Sequence, residues 1–148
     1  MAFSYASTVI DATADAVWAK IRDFNAMPDW NSEGIATSEI EDGKAGDQVG
    51  AVRSFTLVAD GTHLREKLLA HSDEKRFYTY DFQKTPFDVD NYNATLRVTP
   101  VTDGDKAFVE WWVTFDCDRD QQEHWTGFFG NVVFHNGLES IKKRMRGE

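Results

Sequence analysis

The sequence predicts an α+β fold in which a seven-stranded antiparallel sheet curls around one long C-terminal helix. Apolar and polar residues alternate from about residue 35 to residue 116, which is typical of half-buried strands. After Cys117 the apolar spacing lengthens to that of a helix. A sheet with one apolar face must bury it against another layer, and the long helix supplies that layer. Because the chain has 148 residues, we expect a single domain over residues 1–148.

The N-terminal region predicts one strand and two short helices. Residues 3–10 alternate and form the first predicted strand. Asp11 and Thr13 follow, and both residue types cap helices. The first short helix is predicted by four apolar residues at helical spacing, Ala14, Val17, Trp18 and Ile21. Residues 25–30, interrupted by Pro28, predict a second short helix or a turn.

Six further strands follow in hairpin succession. Asp-Gly dipeptides at residues 42–43, 60–61 and 103–104 are typical of turns between strands. The predicted strands cover residues 35–41, 48–58, 62–70, 76–84, 91–100 and 106–116. Together with the first strand, they make up the seven strands of the predicted sheet.

The register of the last hairpin stays open. A two-residue turn at Asp103-Gly104 places Trp111 on the apolar face. Glu110 then lies opposite Arg97 on the solvent side. A loop with an odd number of residues would instead turn Glu110 and Trp112 towards the apolar face.

A long C-terminal helix is predicted over residues 121–146. Asp120 followed by Glu123 is typical of a capping box at its start. Its apolar face is predicted to contain Trp125, Phe128, Phe129, Val132, Val133, Ile141 and Met145. Three glycines lie inside it, Gly127, Gly130 and Gly137. Since glycine weakens a helix, these residues indicate a close approach to a neighbour or space left for another molecule.

The hairpin around Asp60-Gly61 places two charged residues on its apolar face. With a two-residue turn, Phe55 faces Glu66 and Arg53 faces Leu68. Arg53 and Glu66 then lie diagonally across the ladder, within salt-bridge reach. Two interpretations stay open for this pair. It is a buried ion pair that fixes the strand register, or Glu66 is a polar group in a ligand cavity that accepts from, or protonates, a bound molecule.

Aromatic residues on two predicted strands supply further lining for a cavity. Tyr78, Tyr80 and Phe82 alternate on one strand, and Tyr92 lies on the next. Buried tyrosine hydroxyls need hydrogen-bond partners, which a polar ligand or ordered water can provide. One helix is also narrow beside a seven-stranded sheet. We therefore expect a cavity of at least ~300 Å³ between the two layers.

The composition excludes several classes of function. With 16 basic and 25 acidic residues the net charge is −9, which argues against a nucleic-acid partner. Cys117 is the only cysteine, so neither a disulfide nor a multi-cysteine metal site is possible within the chain. No apolar run approaches the ~20 residues of an integral membrane segment. The N-terminus lacks the pattern of a secretory signal, and we expect a cytoplasmic protein.

Motifs for metal, cofactor or nucleophilic chemistry are also missing. The sequence has no G-x-S-x-G elbow, P-loop or dinucleotide fingerprint. His124 and His135 are eleven residues apart, which separates them by roughly 16 Å along a helix, too far to share a metal ion. We therefore expect no metal site and no cofactor.

Five segments of the chain resemble the SRPBCC group, in the polyketide cyclase/dehydrase branch of the START/Bet v 1-like superfamily. They are ASTVIDATADAVWAKIRDFNAMPDWN at 6–31, GDQVGAVRSFTL at 46–57, YTYDF at 78–82, DNYNATLRVTPV at 90–101 and GLESIKK at 137–143. The resemblance covers nearly the entire chain. It implies the helix-grip fold, with a hydrophobic cavity between the sheet and the C-terminal helix.

A more distant similarity to the plant abscisic-acid receptors places that cavity in the sequence. Their gate loop corresponds to residues 59–62 and their latch loop to residues 86–91. Neither loop keeps the receptor pattern, so the similarity implies the position of the cavity and not hormone reception. A second cavity glutamate of the receptors corresponds to Glu110. The ligand-lining positions of the receptors correspond to Leu57, Glu66, Tyr80, Tyr92, Phe129 and Val133. Together with Arg53 and Phe55 of the hairpin, these residues make up the predicted ligand-binding set.

Three functions are compatible with these expectations. The first is binding or transport of a small, largely hydrophobic ligand, lipid-like or aromatic and polyketide-like, by a monomer or homodimer. The second is an enzyme of the polyketide cyclase or dehydratase type, with Glu66 and a tyrosine hydroxyl as acid and base. The third is a protein-interaction module, which requires Trp111 or Trp112 to be exposed in a contiguous apolar patch.

Overall fold

A computed structural model describes residues 1–148 and contains one seven-stranded antiparallel sheet. Its strands are β1 (Ala2–Ile10), β2 (Ile35–Ile40), β3 (Val52–Leu57), β4 (His63–Ser72), β5 (Phe77–Lys84), β6 (Asp90–Val101) and β7 (Lys106–Asp116). The strand order is β1-β7-β6-β5-β4-β3-β2, so β1 and β2 form the two edges and the sheet is not closed. The predicted α+β class and the seven-stranded sheet are confirmed.

Two short helices and one long helix complete the fold. The short helices are α1 (Ala14–Ile21) and α2 (Met27–Trp30). The C-terminal helix consists of α3 (Gln122–Gly127), a π-helical segment (Phe128–Phe134) and α4 (His135–Met145). None of these helices combines the length and the apolar character that crossing a bilayer requires.

The helix starts are set differently in α1 and in the C-terminal helix. The Thr13 side chain accepts from the Ala16 amide at 3.1 Å, so the predicted cap of α1 is confirmed. The capping box predicted for Asp120 and Glu123 is wrong. A 3₁₀ turn over Arg119–Gln121 leads into α3, and no side chain caps it.

The π-helical segment changes which side chains of the C-terminal helix reach the core. A π-helix places residues five apart on one face, and Phe129 and Phe134 are both buried. Leu138 continues this face into α4. Val132, which α-helical spacing predicts on the apolar face, is 49% exposed instead. The predicted face is therefore wrong at Val132 and lacks Phe134 and Leu138.

Two glycines of the C-terminal helix allow it to lie close to the sheet. A Cβ atom at Gly137 would lie 2.5 Å from the Trp111 ring, and one at Gly130 would lie 2.6 Å from Ser4 Oγ. The Ser4 hydroxyl also donates to the Thr126 carbonyl at 2.6 Å, which ties β1 to the helix. Gly127 has no comparable neighbour. The expectation of a close approach thus holds for two of the three glycines.

The β3–β4 hairpin keeps the predicted faces with a different register. Arg53 lies directly opposite Glu66, and Phe55 lies opposite Leu64. The predicted pairing of Arg53 with Leu68 is wrong because the loop has four residues, 58–61, rather than two. A shift by two residues preserves side-chain parity. Both charged residues therefore lie on the inner face, with Arg53 Nη2 at 2.7 Å from Glu66 Oε1.

The β6–β7 hairpin has the register that a two-residue turn predicts. Leu96 lies opposite Trp111, and Arg97 lies opposite Glu110. Trp111 is consequently buried at 3% exposure. Glu110 lies on the outer face, where it accepts from the Tyr5 hydroxyl at 2.6 Å. The expectation from the receptors that Glu110 faces the cavity is therefore wrong.

The buried ion pair leads to a first stability prediction. We expect Glu66→Leu to lower the free energy of unfolding by ~3–5 kcal/mol, because it leaves the Arg53 charge buried and unpaired. Arg65→Leu is the control, since Arg65 pairs with Glu41 at the surface and its loss costs up to ~1 kcal/mol. Replacing Arg53 and Glu66 together by leucine should recover most of the loss. Urea denaturation measures all three. Equal stability of Glu66→Leu and wild type would contradict the register described above.

The close packing of Gly137 leads to a second prediction. We expect Gly137→Ala to destabilise the protein by ~1–3 kcal/mol, because Trp111 or the helix must move to admit the methyl group. Gly127→Ala is the matched control, and it should stabilise the open helical position by up to ~1 kcal/mol. Thermal unfolding followed by circular dichroism compares the two variants. A stabilised Gly137→Ala protein would show that the helix does not lie this close to Trp111.

Candidate ligand-binding cavity

An apolar cavity lies between the inner face of the sheet and the C-terminal helix. Its volume is about 100 Å³, and thirteen of its sixteen lining residues are hydrophobic. All eight residues that the sequence predicts for ligand binding line it: Arg53, Phe55, Leu57, Glu66, Tyr80, Tyr92, Phe129 and Val133. The structure thus brings the whole predicted set together, and the role of these residues in binding stays a prediction.

The cavity is smaller than the ~300 Å³ expected from the sequence, because aromatic side chains fill much of the space between the layers. The rings of Phe82 and Tyr92 stack at 3.9 Å between centroids. Phe129 packs edge-on against Tyr92 at 5.1 Å and against Phe115 at 5.2 Å. Periodicity assigns such residues to the inner face, but it does not show how closely they pack.

Several lining residues are absent from the predicted ligand-binding set. They include Met27, Asn31, Ile35, Leu64, Phe87, Trp111 and Phe128. Met27 and Asn31 belong to α2 and its C-cap, a region in which periodicity predicts only a short helix or turn. Phe87 lies in the loop between β5 and β6, outside any periodic pattern. A large aromatic residue in a loop of turn-type composition is the signal that could have identified it.

Arg53 and Glu66 form the charged part of the cavity wall, and Asn31 is its third polar residue. Arg53 Nε donates to Glu66 Oε1 at 2.9 Å, and Arg53 Nη2 approaches the same oxygen at 2.7 Å. Arg53 Nη1 donates to the Phe24 carbonyl at 3.0 Å. The guanidinium carbon also lies 3.9 Å from the centre of the Phe24 ring, a cation–π contact. Arg53 is therefore held on three sides, while no hydrogen bond reaches Glu66 Oε2.

Burial controls the ionisation of the groups around this pair. It raises the pKa of the Glu66 carboxyl, and the Arg53 guanidinium opposes that rise. Burial also raises the pKa values of Tyr80 and Tyr92 well above the ordinary tyrosine value. Both phenols consequently stay neutral at physiological pH. Tyr80 accepts a hydrogen bond from Trp111 Nε1 at 3.0 Å, which fixes the ring beside the ion pair.

Phe87 closes the cavity on the side of the β5–β6 loop. Its ring contacts Trp125 at 5.5 Å, Phe128 at 5.0 Å and Phe129 at 5.9 Å between centroids. Phe87 also packs against Phe82 at 5.9 Å. One half-buried side chain from a loop thus links the sheet to the C-terminal helix over the cavity.

A second, larger cavity of about 260 Å³ opens at the surface between Trp30 and α4. Its lining is mostly charged, and both of its basic side chains already have partners within the chain. Lys143 Nζ lies 3.3 Å from Glu33, and Arg144 donates to the Glu148 carbonyl at 2.7 Å. We therefore place the candidate site in the smaller apolar cavity.

The one group of residues with the spacing of metal ligands is Asp47, His71 and Asp73, near the end of β4. Arg22 already occupies the space between the two carboxylates. Its Nη2 lies 3.1 Å from Asp47, and its Nε lies 2.9 Å from Asp73. Trp18 Nε1 donates to Asp73 at 2.9 Å as well. This group is an ion-pair network that ties α1 to the sheet.

A serine and a histidine meet on the outer face, but their arrangement does not suit nucleophilic catalysis. His63 Nε2 contacts the Ser54 hydroxyl, and His63 Nδ1 lies 3.1 Å from Lys84 Nζ. An ammonium group only donates hydrogen bonds, so Nδ1 accepts and Nε2 carries the proton. His63 therefore donates to Ser54 and cannot act as its base.

The outer face also bears on the interaction-module alternative. Trp111 is buried on the inner face, and Trp112 is half-buried opposite Tyr5. The exposed apolar side chains of this face are on the edge strand β1, at Phe3, Tyr5 and Val9. The tryptophan patch that this alternative requires is therefore not formed around Trp111.

Solved structures of similar proteins share this architecture. The protein XoxI of Bacillus cereus is 30% identical, with 97% of this chain and 95% of that chain aligned and a TM-score of 0.85. A protein of Thermobifida fusca is 28% identical, with 97% and 93% coverage and a TM-score of 0.86. Norcoclaurine synthase of Thalictrum flavum, solved with dopamine and hydroxybenzaldehyde, is 16% identical, with 99% and 87% coverage and a TM-score of 0.78. At 16% identity, the likeness to norcoclaurine synthase shows a shared fold alone.

Sequence comparison assigns the family. No curated protein matches the chain significantly. The family described as polyketide cyclase / dehydrase and lipid transport matches residues 1–146. The Bet v 1-like architecture of the norcoclaurine synthase structure agrees with this match. The chain therefore belongs to the polyketide cyclase / dehydrase and lipid transport family, in the SRPBCC group that its sequence resembles.

Proposed function

We propose that the protein binds a small, largely hydrophobic molecule in the cavity between the sheet and the C-terminal helix. The observation that carries this proposal is a cavity with a mostly hydrophobic lining and three polar residues, Arg53, Glu66 and Asn31. Burial of apolar surface supplies affinity in such a site, and a few polar groups fix orientation. Membership of a family that includes lipid-transport proteins supports the same proposal.

The volume of the cavity limits the size of the ligand. An engineered apolar cavity of ~150 Å³ holds benzene, and this cavity measures about 100 Å³. A single ring enters after a small displacement of the lining. A lipid chain or a polyketide requires that Phe87 leaves its position against the C-terminal helix. We therefore propose a ligand of single-ring size for the closed state described here.

This proposal is tested with toluene as an apolar probe. At ~10 times its dissociation constant, a ligand that binds only the folded state should raise the melting temperature by roughly 3–5 °C. Val133→Phe fills the cavity from the C-terminal helix and should abolish the shift. Val132→Phe is the matched control, because Val132 is exposed on the same segment, and it should keep the shift.

Phe87→Ala provides a second measurement in case Val133→Phe does not fold. It enlarges the cavity and should allow binding of naphthalene, which the closed wild-type cavity excludes. No shift with toluene in the wild type, together with no naphthalene binding by Phe87→Ala, would contradict ligand binding in this cavity.

Acid–base catalysis by Glu66 is the second candidate function. Two features of Glu66 favour it: burial raises the pKa of the carboxyl, and Oε2 has no hydrogen-bond partner. A carboxylate in this environment is suited to removing a proton next to a carbonyl group, the first step of an aldol-type cyclisation.

Hydrogen–deuterium exchange of cyclohexanone in D₂O, followed by proton NMR, tests this candidate. We expect the wild type to accelerate exchange next to the carbonyl by ~10²–10⁴ over Glu66→Gln, the usual contribution of a positioned base. Glu110→Gln makes the same chemical change on the outer face and should exchange like the wild type. Equal rates for the wild type and Glu66→Gln would remove Glu66 from any such mechanism.

A further inference from the structure

We infer that the cavity selects a neutral, ring-sized molecule that carries a hydrogen-bond donor, such as a phenol or an alcohol, and directs that donor to Glu66 Oε2. This inference rests on the proposed function and specifies its ligand. It starts from the asymmetry of the buried ion pair. Both nitrogens that Arg53 directs to the carboxylate meet Oε1, at 2.9 Å and 2.7 Å.

Glu66 Oε2 is the acceptor that a molecule in the cavity would meet. A carboxylate oxygen accepts up to two hydrogen bonds, and no side chain or backbone group donates to Oε2. Glu66 lines the cavity, and its side chain is only 6% exposed, so bulk water gives it little solvation. A charged acceptor that lacks a protein donor and is mostly removed from bulk water carries an energetic cost. A ligand hydroxyl that donates to Oε2 removes this cost, whereas a hydrocarbon of the same size does not.

The charges of the site exclude ionised ligands. Arg53 and Glu66 neutralise each other, and their side chains are 1% and 6% exposed. A carboxylate ligand would lie beside Glu66, and an ammonium ligand would lie beside Arg53. Either ion adds an uncompensated charge to a buried apolar site, which is strongly unfavourable. The arrangement thus favours a neutral donor over both ionic classes.

The rest of the cavity determines the shape of the ligand. Tyr92, Phe82 and Phe129 present a continuous aromatic surface, with centroid distances of 3.9 Å and 5.1 Å between neighbours. Flat rings pack well against such a surface in offset or edge-on contacts. A molecule with one donor and one ring therefore matches both parts of the site.

The test measures four probes of similar size by isothermal titration calorimetry at neutral pH: p-cresol, toluene, benzoate and benzylamine. We expect p-cresol to bind about 10- to 100-fold more tightly than toluene, the gain of a hydrogen bond to a charged acceptor. Benzoate and benzylamine, both ionised at this pH, should bind more weakly than toluene. Equal affinity for p-cresol and toluene, or tighter binding of either ion, would overturn the inference.

Glu66→Gln assigns the preference to the carboxylate. Its amide NH₂ group replaces Oε2 with a donor, so the advantage of p-cresol over toluene should disappear. Arg53 then lacks its counter-charge, and we expect benzoate to gain affinity. Glu110→Gln on the outer face should retain the wild-type order of affinities. A full p-cresol preference in Glu66→Gln would overturn the inference.

The outcomes also separate this inference from the proposed function. If toluene and p-cresol both fail to bind the wild type, ligand binding in this cavity is itself contradicted. If toluene binds and p-cresol shows no advantage, the cavity binds ligands but the assigned donor preference is wrong. Because the wild-type series decides between these outcomes, the test does not depend on the folding of Glu66→Gln.

Discussion

A buried pair of opposite charges is the constraint on which the centre of this fold depends. Arg53 and Glu66 lie directly opposite each other on β3 and β4, and they are the two buried charged residues of the fold. A buried charge is strongly unfavourable without its partner. A shift of the hairpin register by two residues would therefore leave both charges buried and unpaired. Arg53 also donates to the Phe24 carbonyl at 3.0 Å, which anchors the connection between α1 and α2. One guanidinium thus links the strand register, the first helices and the cavity wall.

The C-terminal helix satisfies a second constraint, which is to cover a wide sheet with a single element. It approaches the sheet closely at Gly130 and Gly137, because these two helix positions have no side chain of their own. The π-helical segment between α3 and α4 then turns Phe129 and Phe134 towards the core together. Phe134 stacks on Trp111 with centroids 4.8 Å apart, while Phe129 faces the cavity. The same segment therefore packs closely against β1 at Gly130 and lines the cavity with Phe129 and Val133.

The alternation of side chains between the two faces of a strand explains why much of this arrangement could be predicted from the sequence. Side chains in strands alternate, so the inner positions of Arg53, Glu66 and Tyr80 are correct although the β3–β4 loop has four residues rather than two. The direct pairing of Arg53 with Glu66 could not be predicted, since it depends on that loop length. The burial of Phe134 depends on the π-helical hydrogen bonds, which α-helical periodicity does not represent. The cavity volume depends on side-chain packing, and alternation gives no information about it.

The same aromatic side chains form the core and limit access to the cavity, which couples stability to binding. Phe87 belongs to a loop, and its backbone makes only local hydrogen bonds, from the Val89 amide to the Phe87 carbonyl and from the Phe87 amide to Thr85 Oγ1. Moving its half-buried ring into water costs up to ~1.5–3 kcal/mol. A ligand that buries a comparable apolar area recovers this cost. Exchange of Phe87 for a ligand ring against Phe128 and Phe129 is therefore nearly balanced in free energy, so the opening of the cavity depends on the ligand rather than on the rest of the sheet.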